Sequence, residues 1–488
     1  MAQKELATPR SVNHWLALII LASTQFMLIV DVTIVNIALP SIQQAFTLSN
    51  VTLQWIVTAY VLTFGGFLLL GGRSADLFGR RRTFLAGLAV FTLASLGCGL
   101  ATSGLTLIIC RAIQGLAGAY MAPTALSLVL VTYSQGSERH IALAVWGAVG
   151  AAGGSLGVVL GGLFTQYLGW RWNFWINAPI GLLVFLAALR LIEPHEPTTP
   201  GRRLDVPGAI LVTGGLMAIV YALAQVPDAG WLHPLPLTAF AIGLAALSLF
   251  IWNEARARHP LMPLSLFRLP NVLAANTLMF FNTASSFSAL FFATLYVQDI
   301  LGYSPLLTGV DFLLFGVTAG LSSTLVPRLV KKVGAKPLLI TGPLLMAGGL
   351  LLESTLPVSG SYWGNMAPGM LLLFFGIGLL TVSITITATS GVPEHQSGLV
   401  SGLLSTFQQV GTALGLAVIT AVAASSTARD LQQQHLLSTT GREEVAAATV
   451  SGFHQGYLIG AGLALLVALL ATLLIRTKSA KTDSGHQG

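Results

Sequence analysis

Three ionisable residues sit where ionisable residues are rarely found. Asp31 lies in the run FMLIVDVTIVNIAL, Arg111 in LTLIICRAIQGLAG and Asp311 in SPLLTGVDFLLFGV. A lone charge in the middle of such a run costs at least a few kcal/mol in hydrocarbon, so each must meet a partner or a wet cavity. With both runs helical, Asp31 lies about 12 Å and Arg111 about 10 Å from the same membrane face, at 1.5 Å per residue. Opposite charges at matched depth support two readings. One is a structural ion pair joining two helices. The other is a carboxylate used for proton exchange or cation binding, with the guanidinium modulating its proton affinity. Because an apposed arginine favours the ionised form, proton loading then requires a change in separation or solvent access. Asp311 has no basic neighbour in sequence and reads either as a solvated helix-end residue or as a second proton or cation site. Glu353, nearer a helix end, reads as solvated.

The elements that hold these groups are membrane spans. Hydrophobic residues make up 54% of the 488 residues and charged residues 8%, against roughly 25% charge in soluble domains. About 20 apolar residues cross a bilayer, and such runs recur at 15–39, 51–71, 83–102, 105–130, 141–166, 173–192, 207–226, 234–253, 273–297, 305–327, 337–356, 364–388, 398–424 and 454–475. The first run is too long for a signal-peptide core and has no small-residue cleavage site, so it reads as a retained span. With both termini cytoplasmic, the inner segments hold 20 of the 24 Lys and Arg residues, including Arg73, Arg80–Arg82, Lys331 and Lys332. The outer segments hold Arg171, Arg429 and Arg442. That asymmetry places both termini inside. It also accounts for the net charge of +7 by membrane anchoring rather than nucleic-acid binding, with anionic lipids as partners. Cys98 and Cys110 in apolar surroundings, and nine scattered histidines, suggest neither a disulfide framework nor a metal centre.

Other polar groups lie within spans. Asn36, Gln54, Tyr60, Asn276, Asn282, Gln408 and Gln409 suit a cavity wall, and equally interhelical hydrogen bonding. Phe280, Phe281, Phe287, Phe291, Phe292 and Tyr296 crowd the ninth span. Aromatic faces near a carboxylate suit an apolar cation; facing lipid is the commoner role. In the fifth span Gly147, Gly150, Gly154, Gly157 and Gly161 form a smooth face for close helix approach, either sliding or static. In GGRSADLFGRRR, Gly72 and Gly79 permit a compact turn, Asp76 can cap the next helix or pair with an arginine, and Arg80–Arg82 sit at the headgroups. The same groups serve as an anchor or as a latch that breaks between states. Gly71–Phe84 and Val326–Leu339 are weakly similar, each a basic loop with a turn glycine, as in a repeated bundle or by coincidence.

Several of these segments resemble the major facilitator superfamily, and within it the fourteen-span drug:proton antiporter branch. Gly72, Ala75, Asp76, Gly79, Arg80 and Arg81 match its loop motif after the second span, with Ser74 in place of the usual leucine. Arg111, Gln114, Gly115, Gly118 and Ala119 match the fourth-span motif, whose arginine is implicated in proton coupling. Gly153, Gly157, Gly161 and Gly162 resemble the fifth-span antiporter motif, with Val158 at its proline position. Asp31, Thr33, Val35, Asn36, Ala38, Leu39 and Pro40 fit the first-span signature, and Gly169–Pro179 and Leu301–Pro305 look like the same branch.

The resemblance implies an all-α polytopic protein with two six-helix bundles (1–193 and 272–488), two additional central spans (194–271) and a central cavity with alternating access. Its expected function is proton-driven efflux of hydrophobic, often cationic, small molecules across a bacterial cytoplasmic membrane, without cofactor or covalent chemistry. Asp31, Arg111 and Asp311 would handle protons, Gly153–Gly162 would support rearrangement, and Asp76 and Arg80 would latch the cytoplasmic side. A narrow-substrate transporter for a metabolite, antibiotic or siderophore, and a non-transporting sensor or scaffold, are the alternatives. No Walker motif supports ATP-driven transport, and the sequence specifies no protein partner.

Overall fold

The computed structural model describes residues 14–133, 136–192, 204–257, 260–390, 392, 394–435 and 442–475. The helices are α1 (His14–Phe46), α2 (Asn50–Phe78), α3 (Arg80–Gly99), α4 (Gly104–Thr132), α5 (Gly136–Tyr167), the short α6 (Trp172–Trp175) and α7 (Asn177–Leu191). After them come α8 (Val206–Ala229), α9 (Pro234–Arg256), α10 (Val272–Leu295), α11 (Pro305–Val333), α12 (Ala335–Glu353), α13 (Ala367–Thr389), α14 (Glu394–His435) and α15 (Arg442–Leu474). Fourteen of the spans so formed are long and apolar enough to cross a membrane, α6 and α7 acting as one. Lys4, Arg10, Arg202, Arg203, Arg258, Arg476, Lys478 and Lys481 lie outside the described residues.

Local chemistry sets the ends. Ser49, Ser103 and Ser304 accept hydrogen bonds from the backbone N–H three residues on, capping α2, α4 and α11. Asp205 caps α8 by accepting from Gly208 N at 2.9 Å. Gly79, at φ +91°, makes the turn between α2 and α3 in a backbone region that L side chains disfavour. Several spans outrun the apolar runs that announced them. The first continues through Pro40 to Phe46, α14 starts at Glu394 and ends at His435, and α15 begins at Arg442. Polar residues extend these helices past the apolar runs, so apolar length underestimates the spans.

Helices α1–α7 pack together, as do α10–α15. The two bundles meet along α5 with α11 and α2 with α14, while α8 and α9 pair and α8 touches α2 and α14. The outer surfaces present Leu93, Leu105, Leu183 and Ile242 to the surroundings, a belt that suits lipid rather than water. Phe291, Phe292 and Tyr296 are instead buried inside the second bundle, where Phe292 stacks near Phe453 and Tyr457. Bundle packing, not lipid, takes these three of the six aromatics.

Close backbone approach holds α2 against α4. A Cβ on Gly115 would lie 2.2 Å from Tyr60 O, and one on Gly71 the same distance from Ala119 O. Gly115→Val is therefore expected to lower stability by about 2–3 kcal/mol, read as a fall in the thermal midpoint in detergent. Gly147→Ala, with open space around it, should leave the midpoint unchanged.

Candidate functional site

Asp31 lies mid-helix because α1 is longer than its apolar run suggests, and its side chain is 0% exposed. Arg111 Nη1 donates to Asp31 Oδ2 at 2.5 Å. Gln114 Nε2 and Asn177 Nδ2 donate to Oδ1 at 2.7 and 2.8 Å. Arg111 also donates through Nη1 to Gln114 Oε1 and through Nε to Ile56 O, and its guanidinium lies 4.2 Å from the Tyr60 ring centroid. Asn177 is held in turn by Ser95 Oγ at 3.0 Å, which donates to Phe174 O. The pair expected from matched depth therefore exists, inside a network drawn from α1, α2, α3, α4 and α7. Asn177 and Ser95 escaped notice as site residues. Asn177 falls in the WNFWINAP segment, whose pattern marked a family but gave no role, and nothing near Ser95 set it apart.

Tyr60 has two sides. One covers the Arg111 guanidinium; the other lines a cavity of about 920 Å³ between the bundles. The cavity wall is mainly apolar, with Leu28, Ile29, Val32, Phe64 and Phe287, and includes Gln25, Thr33, Ser405, Gln408 and Thr412. It reaches Gly72, Arg73, Leu130 and Gly398, near the end that carries the basic loops. The opposite, far end is sealed between bundles. Gln298 Nε2 donates to Ile37 O at 2.9 Å, and Leu306 N donates to Gln166 Oε1 at 3.2 Å.

Of the candidate wall residues, Tyr60, Phe287, Gln408 and Gln409 line the cavity and four do not. Asn276 donates to Val272 O within its helix, and Asn282 reaches Thr381 Oγ1 on α13. Asn36 and Gln54 are buried above the cavity in the closed far half. Asn282 alone of the four bonds to another helix, Asn36 donates to Val32 O on its own helix, and Gln54 has no partner among the described residues. Asp311 is buried rather than solvated or cavity-facing, its backbone carbonyl accepting from Tyr362 OH at 2.8 Å. Glu353, expected to be solvated, is 0% exposed and tucked where Gly369 lacks a side chain. The outer turn Tyr362–Met366, with Tyr362 and Met366 buried, packs against α12 and α13.

The fifth-span glycines divide by partner. A Cβ on Gly153 or Gly157 would meet Ile29 or Thr33, and one on Gly161 would meet Ile34 O, all on α1 in the same bundle. Gly162 alone of the four faces the other bundle, where a Cβ would lie 2.4 Å from Pro305 O. Val158 O faces Gly309 in the same seam, while Gly147 and Gly320 stand in open space toward the basic end. The two helices thus touch at the far end and part at the basic end. In the loop motif, Gly79 makes the turn, but Gly72 is a helical residue on the cavity wall. Asp76 belongs to α2; its side chain lies outside the described residues. Arg80 opens α3 half-buried, and Arg81 donates to Leu189 O at the end of α7.

The linker after α9 was also missed. Glu254 accepts from Leu261 N and Met262 N, pinning Leu261 into the cavity wall. Among the described residues, no group of His, Cys, Asp and Glu suits a metal ion.

Two six-helix bundles around a central cavity define a transporter fold. The Major Facilitator Superfamily profile matches residues 21–416, and this chain belongs to that superfamily. It is 38% identical over 484 residues to the puromycin resistance protein of Streptomyces alboniger, covering 96% of this chain and 93% of the other. It is 39% identical over 431 residues to the cephamycin export protein of Amycolatopsis lactamdurans, covering 87% and 88%. In fold it is similar to the inward-facing, unoccupied bacterial homolog of the human lysosomal transporter Spinster, with a TM-score of 0.67, 15% identity and coverage of 96% and 98%. The chain is thus a multi-pass membrane transporter of small molecules, not an enzyme.

Asp31→Ala leaves Arg111 buried without its counter-charge and should cost about 3–5 kcal/mol, seen as a lower thermal midpoint. Asp31→Ala combined with Arg111→Met should recover most of that loss. Gly162→Ala should force the far-end seam apart, lengthening the distance between spin labels on Tyr167→Cys and Leu307→Cys. Gly161→Ala, meeting Ile34 O within one bundle, should destabilise the protein without changing that distance.

Proposed function

We propose that this chain exports antibiotic-like hydrophobic small molecules from the cytoplasm of a bacterium, driven by inward proton movement. The observation that carries this reading is the cavity open at the basic end and closed at the far end, with Tyr60 standing between it and the Asp31–Arg111 network. The basic loops set the cytoplasmic side, so this state is inward-facing. The cavity size and mostly apolar wall suit a drug-sized cargo. The wall includes Arg73 and, among the described residues, no carboxylate, which favours a neutral or anionic cargo over a cationic one. The relatives named for puromycin resistance and cephamycin export support an antibiotic.

The proton step rests on Asp31. In this state its side chain accepts hydrogen bonds from Arg111, Gln114 and Asn177, and Tyr60 stands between that network and the cavity. Parting of the bundles at the far end would admit water to the Asp31–Arg111 network and weaken that contact. A proton taken up there would be released when the network closes again. Asp311 is proposed as a second proton-handling carboxyl in the other bundle, and Gly162 as the fifth-span position that moves between states.

Purified protein in liposomes should move puromycin or a cephamycin against its gradient when the drug's destination is acidic, with matching proton flux. Asp31→Asn should keep the folded protein and lose more than tenfold of the coupled flux. Drug movement that continues unchanged after the proton gradient is collapsed would rule out the coupling.

A further inference from the structure

The sealed far half of the bundle interface carries polar groups that packing has left without partners. Asn36 Oδ1, both side-chain polar atoms of Gln54, Thr58 Oγ1 and Thr420 Oγ1 find no hydrogen bond among the described residues. All four side chains are at most 1% exposed. Thr33, Thr63, Thr412 and Thr427 bond back to the carbonyl four residues earlier, the usual way for a helix to satisfy a hydroxyl in a membrane. Thr58 and Thr420 do not.

Their positions form one track. On α1, Gln25, Ile29 and Val32 line the cavity, and the next residue on that helical stripe is Asn36. On α2, Gly65 packs against Gln409 of α14. Helical steps from Gly65 toward the far end pass Val61 and reach Thr58 and then Gln54. The matching steps on α14 run from Gln409 to Thr420. The two helices run antiparallel, so Gln54 and Thr420 each stand about 16 Å beyond that contact, at one level. The cavity-facing and seam-facing stripes therefore continue past the seal as amides and hydroxyls.

We propose that Asn36, Gln54, Thr58 and Thr420 line the far-side half of the transport path and bind the uncharged hydrogen-bonding groups of the cargo once the bundles part there. This rests on the exporter reading for the presence of a path, and adds its exit wall. In the sealed state these atoms lack partners, Asn36 being bonded only through its Nδ2 to Val32 O within α1; in the open state water and cargo supply them. Their burial consequently weakens the seal, and apolar replacements strengthen it.

The test uses the full chain with Cys98→Ser and Cys110→Ser, carrying Thr58→Cys, Thr420→Cys or, as a buried control, Leu350→Cys. A membrane-impermeant maleimide is applied to intact cells and, separately, to inside-out vesicles. Thr58→Cys and Thr420→Cys are expected to react at least tenfold faster than the control, from the far side. Adding Gln54→Leu to Thr420→Cys should slow that reaction about tenfold and raise the thermal midpoint. Thr420→Val alone is a smaller change that should also raise the midpoint. Reaction at the control rate from both sides, or a lowered midpoint in both apolar variants, overturns the proposal. Labelling needs no drug, so drug flux lost with labelling intact counts against the exporter reading alone, and flux retained without labelling counts against the exit wall alone.

Discussion

A buried ion pair in a medium without water constrains everything around it. Removing Asp31 and Arg111 from solvent carries a desolvation cost that their mutual attraction offsets only when the remaining hydrogen-bonding capacity is also met. That is why the network is wide. Gln114 and Asn177 complete Asp31, Ile56 O takes the Arg111 Nε–H, and Tyr60 lays its ring over the guanidinium. Five helices must be in register for this to hold, so the pair also fixes how the first bundle is assembled.

The same requirement separates the rigid parts of the molecule from the parts able to move. Inside the first bundle, Gly157 and Gly161 bring α5 onto α1 so tightly that added side chains would strike Thr33 and Ile34. Between bundles, α5 and α11 meet where Gly162, Val158 and Ser155 face Pro305, Gly309 and Gly316, and where Leu306 N donates to Gln166 Oε1. Around Asp31 and Arg111 the hydrogen bonds are made, whereas Gln54, Thr58 and Thr420 toward the far-side seam are left open. A seam that carries such open groups gains hydrogen bonds from water when it parts. The additional pair α8 and α9 supports this division from outside, with Glu254 holding the linker that places Leu261 at the cavity wall.

Much of the fold was legible in the chain. Hydrocarbon allows a span only where apolar residues run long enough, so fourteen runs foretold fourteen spans. The Asp31–Arg111 encounter was readable for a related reason, since two opposite charges in lipid must find each other. The estimated depths were less sound than the conclusion: α1 runs on to Phe46, and Asp31 is central. Glu353 was misread because closeness to a helix end says nothing about the turn that packs against that helix. Gly72 was misread as a turn residue because a glycine suits both a bend and a helix face.

By itself the sequence determined the class of protein: how many times the chain crosses, which loops share a side, and which charges are forced into contact. These follow from solvation, which acts residue by residue. Tertiary structure alone decided which polar groups meet. Asn282 went to Thr381 on α13 while Gln408 went to the cavity, and Asn177 rather than a better-marked residue completed Asp31. A side chain's partner depends on the rotation and register of helices distant in sequence, and apolar length carries no record of either.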